Sequence, residues 1–250
     1  MPDLSPEFST LRTPCAPGTL YSHCPWLCVP DPPELEALFA DSPVLAIPAH
    51  VNHDFGREPF VWWIDAGILA TYAERADGSR MVEIFTKGAL LGAPKAMLHR
   101  ESCMRLSCRM LSPMRVRRTD ASRFRSFLAE HPETEAEWWK RLALSHTAMI
   151  DGLLINGLEQ VPVRLAHLFV VLASLAGQGA QLNSQEGTLL PIGPTADELA
   201  LMTHATRAVI SRQLSAWARG GLIERRGRRI LLAPDFADRT LGLRMGRSAP

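Results

Sequence analysis

Two arginines and two serines recur at helical spacing in the segment THATRAVISRQLSAW, residues 203–217. At 100° per residue, Arg207, Ser211 and Arg212 fall on one side of a helix, while Ile210 and other apolar residues fall on the opposite side. Arginine matches phosphate oxygens and the edge of guanine, and small side chains let a helix approach a partner closely. The polar side carries no acid, whereas a merely solvated side usually mixes acids and bases. The segment therefore predicts an amphipathic helix that can meet a polyanion.

The flanking segments indicate how this helix is held. Thr195, followed three residues later by Glu198, is a capping box that begins a short preceding helix, and residues 203–205 form the turn between the two helices. Downstream, GGLIERRGRRILLAP reads as a β-hairpin with Gly227 at its turn. The arginines around that turn are Arg225, Arg226, Arg228 and Arg229. Helix, turn, helix and basic wing in this order predict a winged helix-turn-helix that enters the major groove of DNA.

The charge distribution agrees with a DNA-binding C-terminal module. Residues 195–250 contain ten Arg and five Asp or Glu, a formal charge of +5, whereas the whole chain carries +1. A near-neutral total therefore conceals one basic module, as expected when only part of a protein meets DNA. With 250 residues, of which 46% are hydrophobic, the chain is expected to form about two domains with packed cores.

The first half of the chain has the pattern of short β-strands. Residues 43–118 contain apolar runs separated by Gly, Pro and Asp-Gly. The pair Asp77-Gly78 lies between two such runs and predicts a tight hairpin turn. Many short strands with such turns predict a small β-roll or barrel.

The stretch from Glu133 to Glu159 has the pattern of one long helix. Residues along it follow the 3-4-3-4-3 spacing typical of a coiled-coil seam. The seam consists of Trp139, Leu142, His146, Met149, Leu153 and Asn156. A helix within a single subunit could bury the same stripe. Because other apolar residues such as Trp138 and Ile155 lie off the seam, we expect the helix to pack both on the β-roll and on its copy in a second subunit.

Enzymes and membrane proteins are not indicated. The sequence contains no HExxH, P-loop, GxSxG or Rossmann motif, so no catalytic residue is assigned. Residues 1–10 have no apolar core, and the longest apolar run, residues 165–177, is too short to span a membrane. Five cysteines, an odd number, argue against a disulfide framework. We expect a cytoplasmic protein; one that acts through other proteins alone is the competing class, and it would leave the C-terminal arginines without a role.

Taken together, these stretches resemble the CRP/FNR superfamily of bacterial transcription regulators. The family's strand and glycine pattern resembles VWWIDAGILATYAERADGSRMVEIFTKGALLG, and the helix that opens its DNA-binding domain resembles VPVRLAHLFVVLASL. Its helix-turn-helix and wing resemble TADELALMTHATRAVISRQLSAWARGGLIERRGRRILL. The resemblance implies an α+β fold with an N-terminal β-roll of the cyclic-nucleotide-binding jelly-roll type, a long central dimerisation helix and a C-terminal winged helix-turn-helix. The implied parts are a Cys-containing segment (1–36), the β-roll (37–131), the dimerisation helix (132–160) and the DNA-binding domain (161–250).

The resemblance also implies partners and residue roles. The protein would be a homodimer that reads a two-fold symmetric site in double-stranded DNA and contacts RNA polymerase. Arg207, Ser211 and Arg212 would enter the groove, with Arg212 at the family's most dependable base-contacting position. Thr195 and Thr206 would anchor phosphates at helix starts. Target genes, operator sequence and the sign of regulation stay open.

Several positions depart from the family pattern. Ala208 stands where many members carry a glutamate that reads cytosine, and His204 stands where glycine is common. In the β-roll, Ala93 replaces the acid of the cyclic-nucleotide-binding pattern, and no Arg-Ser pair follows it. Met149 and Ile150 occupy the positions that would meet the base. A cyclic phosphate would lack its charge-assisted partners, so we do not expect cyclic AMP to be the effector.

The cysteines suggest a redox or gas sensor. SHCPWLCVPDPPELEAL resembles the N-terminal segment of FNR-type oxygen sensors, which hold an iron–sulfur cluster on clustered cysteines. The thiolates here would come from Cys15, Cys24 and Cys28 with Cys103 or Cys108. Their spacing departs from the family's. The alternative is that Cys103 and Cys108 are ordinary buried thiols and the first three cysteines lie in a loose tail.

Histidines offer two further cofactor hypotheses. Haem could be bound through His23 or Cys24, or through His146 on the long helix. His50 and His53, three residues apart, could bind a metal or could lie on the surface without one. The sequence does not choose between these cofactors.

Overall fold

The computed structural model describes residues 24–55, 60–74, 80–98, 106–175 and 187–242. These residues form two compact units, Trp26–Met149 and a C-terminal unit that begins at Ile150. Together they give the mixed helix and sheet fold that the sequence predicts. No helix within the described ranges is long and apolar enough to cross a membrane.

The unit Trp26–Met149 is a β-roll made of two antiparallel four-stranded sheets. The first sheet has the order β1-β8-β3-β6, and the second has the order β2-β7-β4-β5. The strands are β1 (Leu45–Ile47), β2 (Asn52–His53), β3 (Phe60–Ala66), β4 (Ile68–Ala73), β5 (Arg80–Thr86), β6 (Leu90–Leu91), β7 (Leu106–Met110) and β8 (Met114–Asp120). The predicted hairpin is confirmed because Ala73 of β4 pairs with Arg80 of β5. The Asp77-Gly78 turn itself lies outside the described residues.

Strand β3 explains why the front of the chain is so rich in tryptophan. Trp62 and Ile64 belong to the apolar core between the sheets, and Val61 and Trp63 belong to a second core beneath the helices. Both faces of the strand are therefore buried, which produces a continuous apolar run instead of an alternating one. Gly67 ends β3 with φ +108°, a conformation that side chains rarely adopt.

The second core is covered by helical segments of the same unit. A short 3-10 helix (Pro33–Phe39) contributes Leu35 and Phe39. The α-helices that follow are α1 (Ala93–Leu98), α2 (Ala121–Glu130) and α3 (Pro132–Leu158). Phe124 of α2 and Trp138 of α3 meet edge to face, with ring centroids 5.7 Å apart. Aromatic packing of this kind holds the first part of α3 against the β-roll.

Residues 26–31, which we term the N-terminal strap, join β5 to α3. The Cys28 amide donates to the Ile84 carbonyl at 2.8 Å, and the Ile84 amide donates to the Trp26 carbonyl at 2.6 Å. On the helix side, the Trp26 amide donates to the Ala148 carbonyl at 2.9 Å, and the Val29 amide donates to Ser145 Oγ at 2.9 Å. The strap is thus hydrogen-bonded on both sides, and the expectation of a loose tail is wrong for Cys28.

The helix α3 confirms the predicted long helix but moves its exposed stripe by one residue. Trp139, Ile150 and Leu153 are exposed apolar residues of this stripe, whereas Asn156 is only 5% exposed. The complete exposed stripe consists of Trp139, Ala143, His146, Ile150, Leu153 and Leu154. Leu142 packs against the second core of the β-roll unit. Leu142 and Asn156 therefore pack within the chain, because a seven-residue repeat fits two neighbouring phases of a helix and does not decide between them.

The C-terminal unit contains the predicted winged helix-turn-helix. Its elements are α4 (Val161–Ser174), β9 (Thr188–Leu189), α5 (Ala196–Met202), α6 (Arg207–Arg219), β10 (Ile223–Arg226), β11 (Arg229–Leu232) and α7 (Phe236–Leu241). Phe169 of α4, Trp217 of α6 and Phe236 of α7 pack together, with centroid distances of 5.2–6.0 Å. The sheet order is β10-β11-β9, so the wing has a third strand that the sequence did not indicate.

Candidate nucleic-acid interface

The helix α6 presents the predicted polar face to solvent. Its N-cap is Thr206, whose hydroxyl accepts from the Val209 amide at 3.4 Å. Its buried side consists of Ile210, Leu214 and Trp217. Burial of these three side chains fixes the rotation of the helix about its axis. The exposed or half-exposed side consists of Arg207, Ala208, Ser211, Arg212 and Ser215.

The two arginines of this face differ in their surroundings. Arg207 Nη1 lies 3.6 Å from Asp197 Oδ2, a carboxylate of α5, and both side chains are mostly exposed. Such a surface pair is weak and can exchange for a phosphate. Arg212 is exposed and forms no ion pair with any residue that the structure describes. Arg212 is therefore a guanidinium held on a fixed helix and directed at solvent. The sequence missed Asp197 because it lies on the preceding helix.

The small polar side chains of the interface are partly engaged within the chain. Ser215 Oγ donates to the Ser211 carbonyl at 2.9 Å. Thr195 Oγ1 accepts from the Glu198 amide at 3.1 Å, and the Thr195 amide donates to Glu198 Oε2 at 2.9 Å, which completes the predicted capping box. The hydroxyls of Thr195 and Thr206 thus cap helices in this structure. Contact with phosphate by either residue stays a prediction.

The wing is the predicted hairpin. Arg226 pairs with Arg229 across a two-residue turn, and Gly227 in that turn has φ +62°. Arg226 is 3.1 Å from Glu224 through Nε, so part of its charge is compensated within β10. The remaining wing arginines are exposed: Arg225, Arg228 and Arg229. The hairpin therefore presents a concentrated positive charge suited to phosphate contacts.

A close backbone contact holds the wing tip to the segment before α5. A Cβ added to Gly193 would overlap the Arg228 carbonyl oxygen. The contact ties the wing to the start of the helix-turn-helix, two residues before the Thr195 cap. It was not predicted, because a glycine in a loop gives no sign of which distant carbonyl it approaches.

The turn between α5 and α6 is held by side chains from two other helices. Asn156 Nδ2 donates to the Met202 carbonyl at 3.2 Å, and Arg164 Nη1 donates to the Thr203 carbonyl at 3.2 Å. His204 has the left-handed backbone expected at this position, with φ +51°. Asn156 was predicted for the dimer seam and Arg164 only for the opening of α4. Neither role could be read from their spacing.

The described cysteines do not fit an iron–sulfur cluster. Cys28 and Cys108 are buried, and burial raises the pKa of both thiols, that of Cys108 to about 12. Cys28 Sγ lies 3.6 Å from Ser145 Oγ. Cluster ligands must be thiolates, and these environments favour the protonated form. Cys24 is half-buried, and Cys15 and Cys103 lie outside the described residues. No step of the mechanism is therefore derived through a cluster.

The histidine hypotheses also find no ligand set among the described residues, which contain no group of three or more His, Cys, Asp or Glu able to hold a metal ion. The His53 ring packs against Phe55, with centroids 4.5 Å apart. The His50 amide donates to the Met110 carbonyl at 2.7 Å. His146 is exposed on α3, and His23 lies outside the described residues.

Comparison with known proteins agrees with this geometry. Residues 163–237 match the family model of the Crp-like helix-turn-helix domain. A structure of CLP from Xanthomonas campestris, described as a c-di-GMP-responsive global regulator, has a TM-score of 0.64 at 17% identity, over 80% of this chain and 97% of that one. The chain is a regulator of the CRP/FNR type. No curated protein matches its sequence significantly.

Two further structures extend the likeness of this CRP/FNR-type regulator across both units. A mutant of CooA from Carboxydothermus hydrogenoformans has a TM-score of 0.63 at 19% identity, over 85% of this chain and 97% of that one. FixK2 from Bradyrhizobium japonicum has a TM-score of 0.64 at 17% identity, over 83% of this chain and 99% of that one. At these identities the likeness establishes the fold, and DNA binding is carried by the Crp-like domain.

Proposed function

We propose that the protein is a homodimeric, sequence-specific transcription regulator and not an enzyme. The carrying observation is Arg212, which is exposed on α6 and has no ion pair with a described residue. In this proposal Arg207, Ser211 and Arg212 read the major groove, and the wing arginines contact phosphates. Thr195 and Thr206 lie at helix starts, where backbone amides favour phosphate.

Dimerisation is proposed to use the exposed stripe of α3. Trp139 and Leu153 are 44% and 45% exposed, and large apolar residues are seldom aligned on a free helix surface. Their heptad-like spacing fits a two-helix seam. A dimer would place two α6 helices to read a two-fold symmetric site, with half-sites about one helical turn apart.

The β-roll is proposed as the sensory domain. Ala93, which replaces the acid of the cyclic-nucleotide pattern, is buried at the start of α1 and offers no carboxylate to a ribose. We therefore propose an effector other than cyclic AMP, or regulation by abundance alone. An effector would act by shifting α3 and thereby the two recognition helices. Contact with RNA polymerase and action in the cytoplasm belong to the same proposal.

The proposal is tested by replacing Arg212 with alanine. Duplexes are first selected from a random library with the wild-type protein, and affinities are then measured at several salt concentrations. Loss of a bidentate contact to guanine is expected to weaken specific binding by about 1–3 kcal/mol, while dimerisation is retained. Arg123→Ala on α2 removes an exposed arginine from the other unit and is expected to change nothing.

Two outcomes would contradict the proposal. Specific binding by Arg212→Ala at wild-type affinity would remove α6 as the reader. Failure of the wild-type protein to bind any duplex, or binding without a steep salt dependence, would favour a protein that acts only through other proteins.

A further inference from the structure

The C-terminal end of α5 is stabilised by contacts that come from outside the helix-turn-helix. The last carbonyls of a helix have no partners within it, and buried ones need partners from elsewhere. The Leu199 carbonyl accepts from the Thr203 amide at 3.0 Å and from Thr203 Oγ1 at 2.7 Å. The Ala200 carbonyl accepts from the Ala205 amide at 2.9 Å. These bonds are local to the turn, but the next two carbonyls use donors from other helices.

Asn156 and Arg164 supply those donors. Asn156 Nδ2 donates to the Met202 carbonyl at 3.2 Å and lies 3.4 Å from His204 Nε2. Arg164 Nη1 donates to the Thr203 carbonyl at 3.2 Å, and its Nε donates to the Glu159 carbonyl at 2.6 Å. The end of α3, the beginning of α4 and the turn before α6 are therefore joined by one set of hydrogen bonds.

The Asn156 amide is only half used in this set. Its side chain is 5% exposed, and Oδ1 is buried without a hydrogen-bond partner among the described residues. An asparagine retained only to stabilise the fold would be expected to satisfy both ends of its amide. The donor end alone is engaged, and it is directed at the turn that sets the start of the recognition helix.

We propose that Asn156 is a positioning residue for the recognition helix: its Nδ2 fixes the turn at Met202–His204 to the end of α3, so that a movement of α3 changes where α6 presents Arg212. This inference rests on the proposed function. Asn156 touches no DNA in this proposal and acts through the turn. Arg164 anchors the same turn to α4, so that only the α3 contact transmits movements of the long helix.

The test compares specific with non-specific DNA binding. The full-length wild-type protein selects its best duplex from a random library, and that duplex and an unselected random duplex are used as probes. Asn156→Leu removes the amide at similar volume, and Asn156→Asp retains Oδ1 but removes the Nδ2 donor. Both variants are expected to bind the selected duplex about tenfold more weakly, the equivalent of one lost base contact. Binding to the random duplex is expected to stay unchanged.

The control is Asn52→Leu, the same substitution on β2 of the β-roll unit, which is expected to leave both affinities unchanged. A purely structural role of Asn156 would lower the unfolding midpoint and both affinities together, and that result would overturn the proposal. An unchanged ratio of specific to non-specific affinity would also overturn it. If Asn156→Leu fails to fold, Asn156→Asp decides by the same ratio. If the wild-type protein selects no duplex, the proposed function fails and this inference falls with it.

Discussion

At the scale of single residues, Gly193 shows how closely the wing is held. A side chain at this position would overlap the Arg228 carbonyl oxygen at the wing tip. We expect Gly193→Ala to destabilise the protein by about 1–3 kcal/mol, because the overlapping atom belongs to the backbone and cannot rotate away. Urea unfolding followed by tryptophan fluorescence would measure the change. Binding to DNA should weaken as well, since the wing arginines move with the hairpin.

Gly220 provides a matched control for this substitution. It follows α6 with φ −81°, and an added Cβ would find its nearest atom, the Ala216 carbonyl oxygen, at 3.4 Å. Gly220→Ala is therefore expected to be neutral or to stabilise by about 0.4–1 kcal/mol through the unfolded state. Equal losses at both positions would show that the contact between Gly193 and the wing has no special role.

At the scale of elements, the N-terminal strap contains a buried acid. Asp31 Oδ2 accepts from the Leu90 amide at 2.6 Å, and the Asp31 side chain is largely removed from water. Burial raises the pKa of Asp31 from its ordinary value of 3.8 to about 7, although the Leu90 amide, the Arg141 charge and a hydrogen bond with Trp138 oppose the rise. Burial likewise raises the pKa of Glu83 on β5 to about 7. Both carboxyls favour the protonated, folded state.

This burial predicts a pH dependence of stability. Because the folded-state pKa of Asp31 lies above the unfolded value, its contribution is fully present below pH 3.8 and is lost as pH rises through 7. The loss for one such group is about 4 kcal/mol at most. Asp31→Asn keeps an oxygen that can accept from Leu90 and cannot ionise, so it should gain stability relative to the wild type between pH 5 and 8. Thermal unfolding across this range tests it, with the exposed Asp41→Asn as control. Parallel pH profiles for the wild type and Asp31→Asn would contradict the prediction.

The same elements show what the sequence can predict. The recognition helix was predictable because its apolar side, its cap at Thr206 and its arginines all lie within one continuous segment. The strap was not, because its partners Ile84 and Ser145 are more than fifty residues away and its own residues have no periodic pattern. Asn156 was placed on the correct helix and the wrong face, because the heptad spacing fits two phases. Long-range hydrogen bonds thus mark the limit of prediction from local pattern.

At the scale of the whole molecule, the exposed stripe of α3 implies that the active protein is a dimer. Leu153→Glu is expected to convert it to a monomer, because a buried charge in an apolar seam has no partner. The folded state of each subunit should persist, since Leu153 is 45% exposed within the chain. Sedimentation should show the halved mass, and affinity for a two-fold site should fall to that for a half-site.

The control for this last change lies on the same helix. Lys140→Glu also places a glutamate on α3, at a side chain that is 62% exposed and already charged. It should leave the mass and the affinity for a two-fold site unchanged, apart from loss of the weak pair with Glu137. A dimer that survives Leu153→Glu would show that α3 does not form the interface. Selective loss of the two-fold site's advantage over the half-site would instead show that the paired α3 helices place both recognition helices on one duplex.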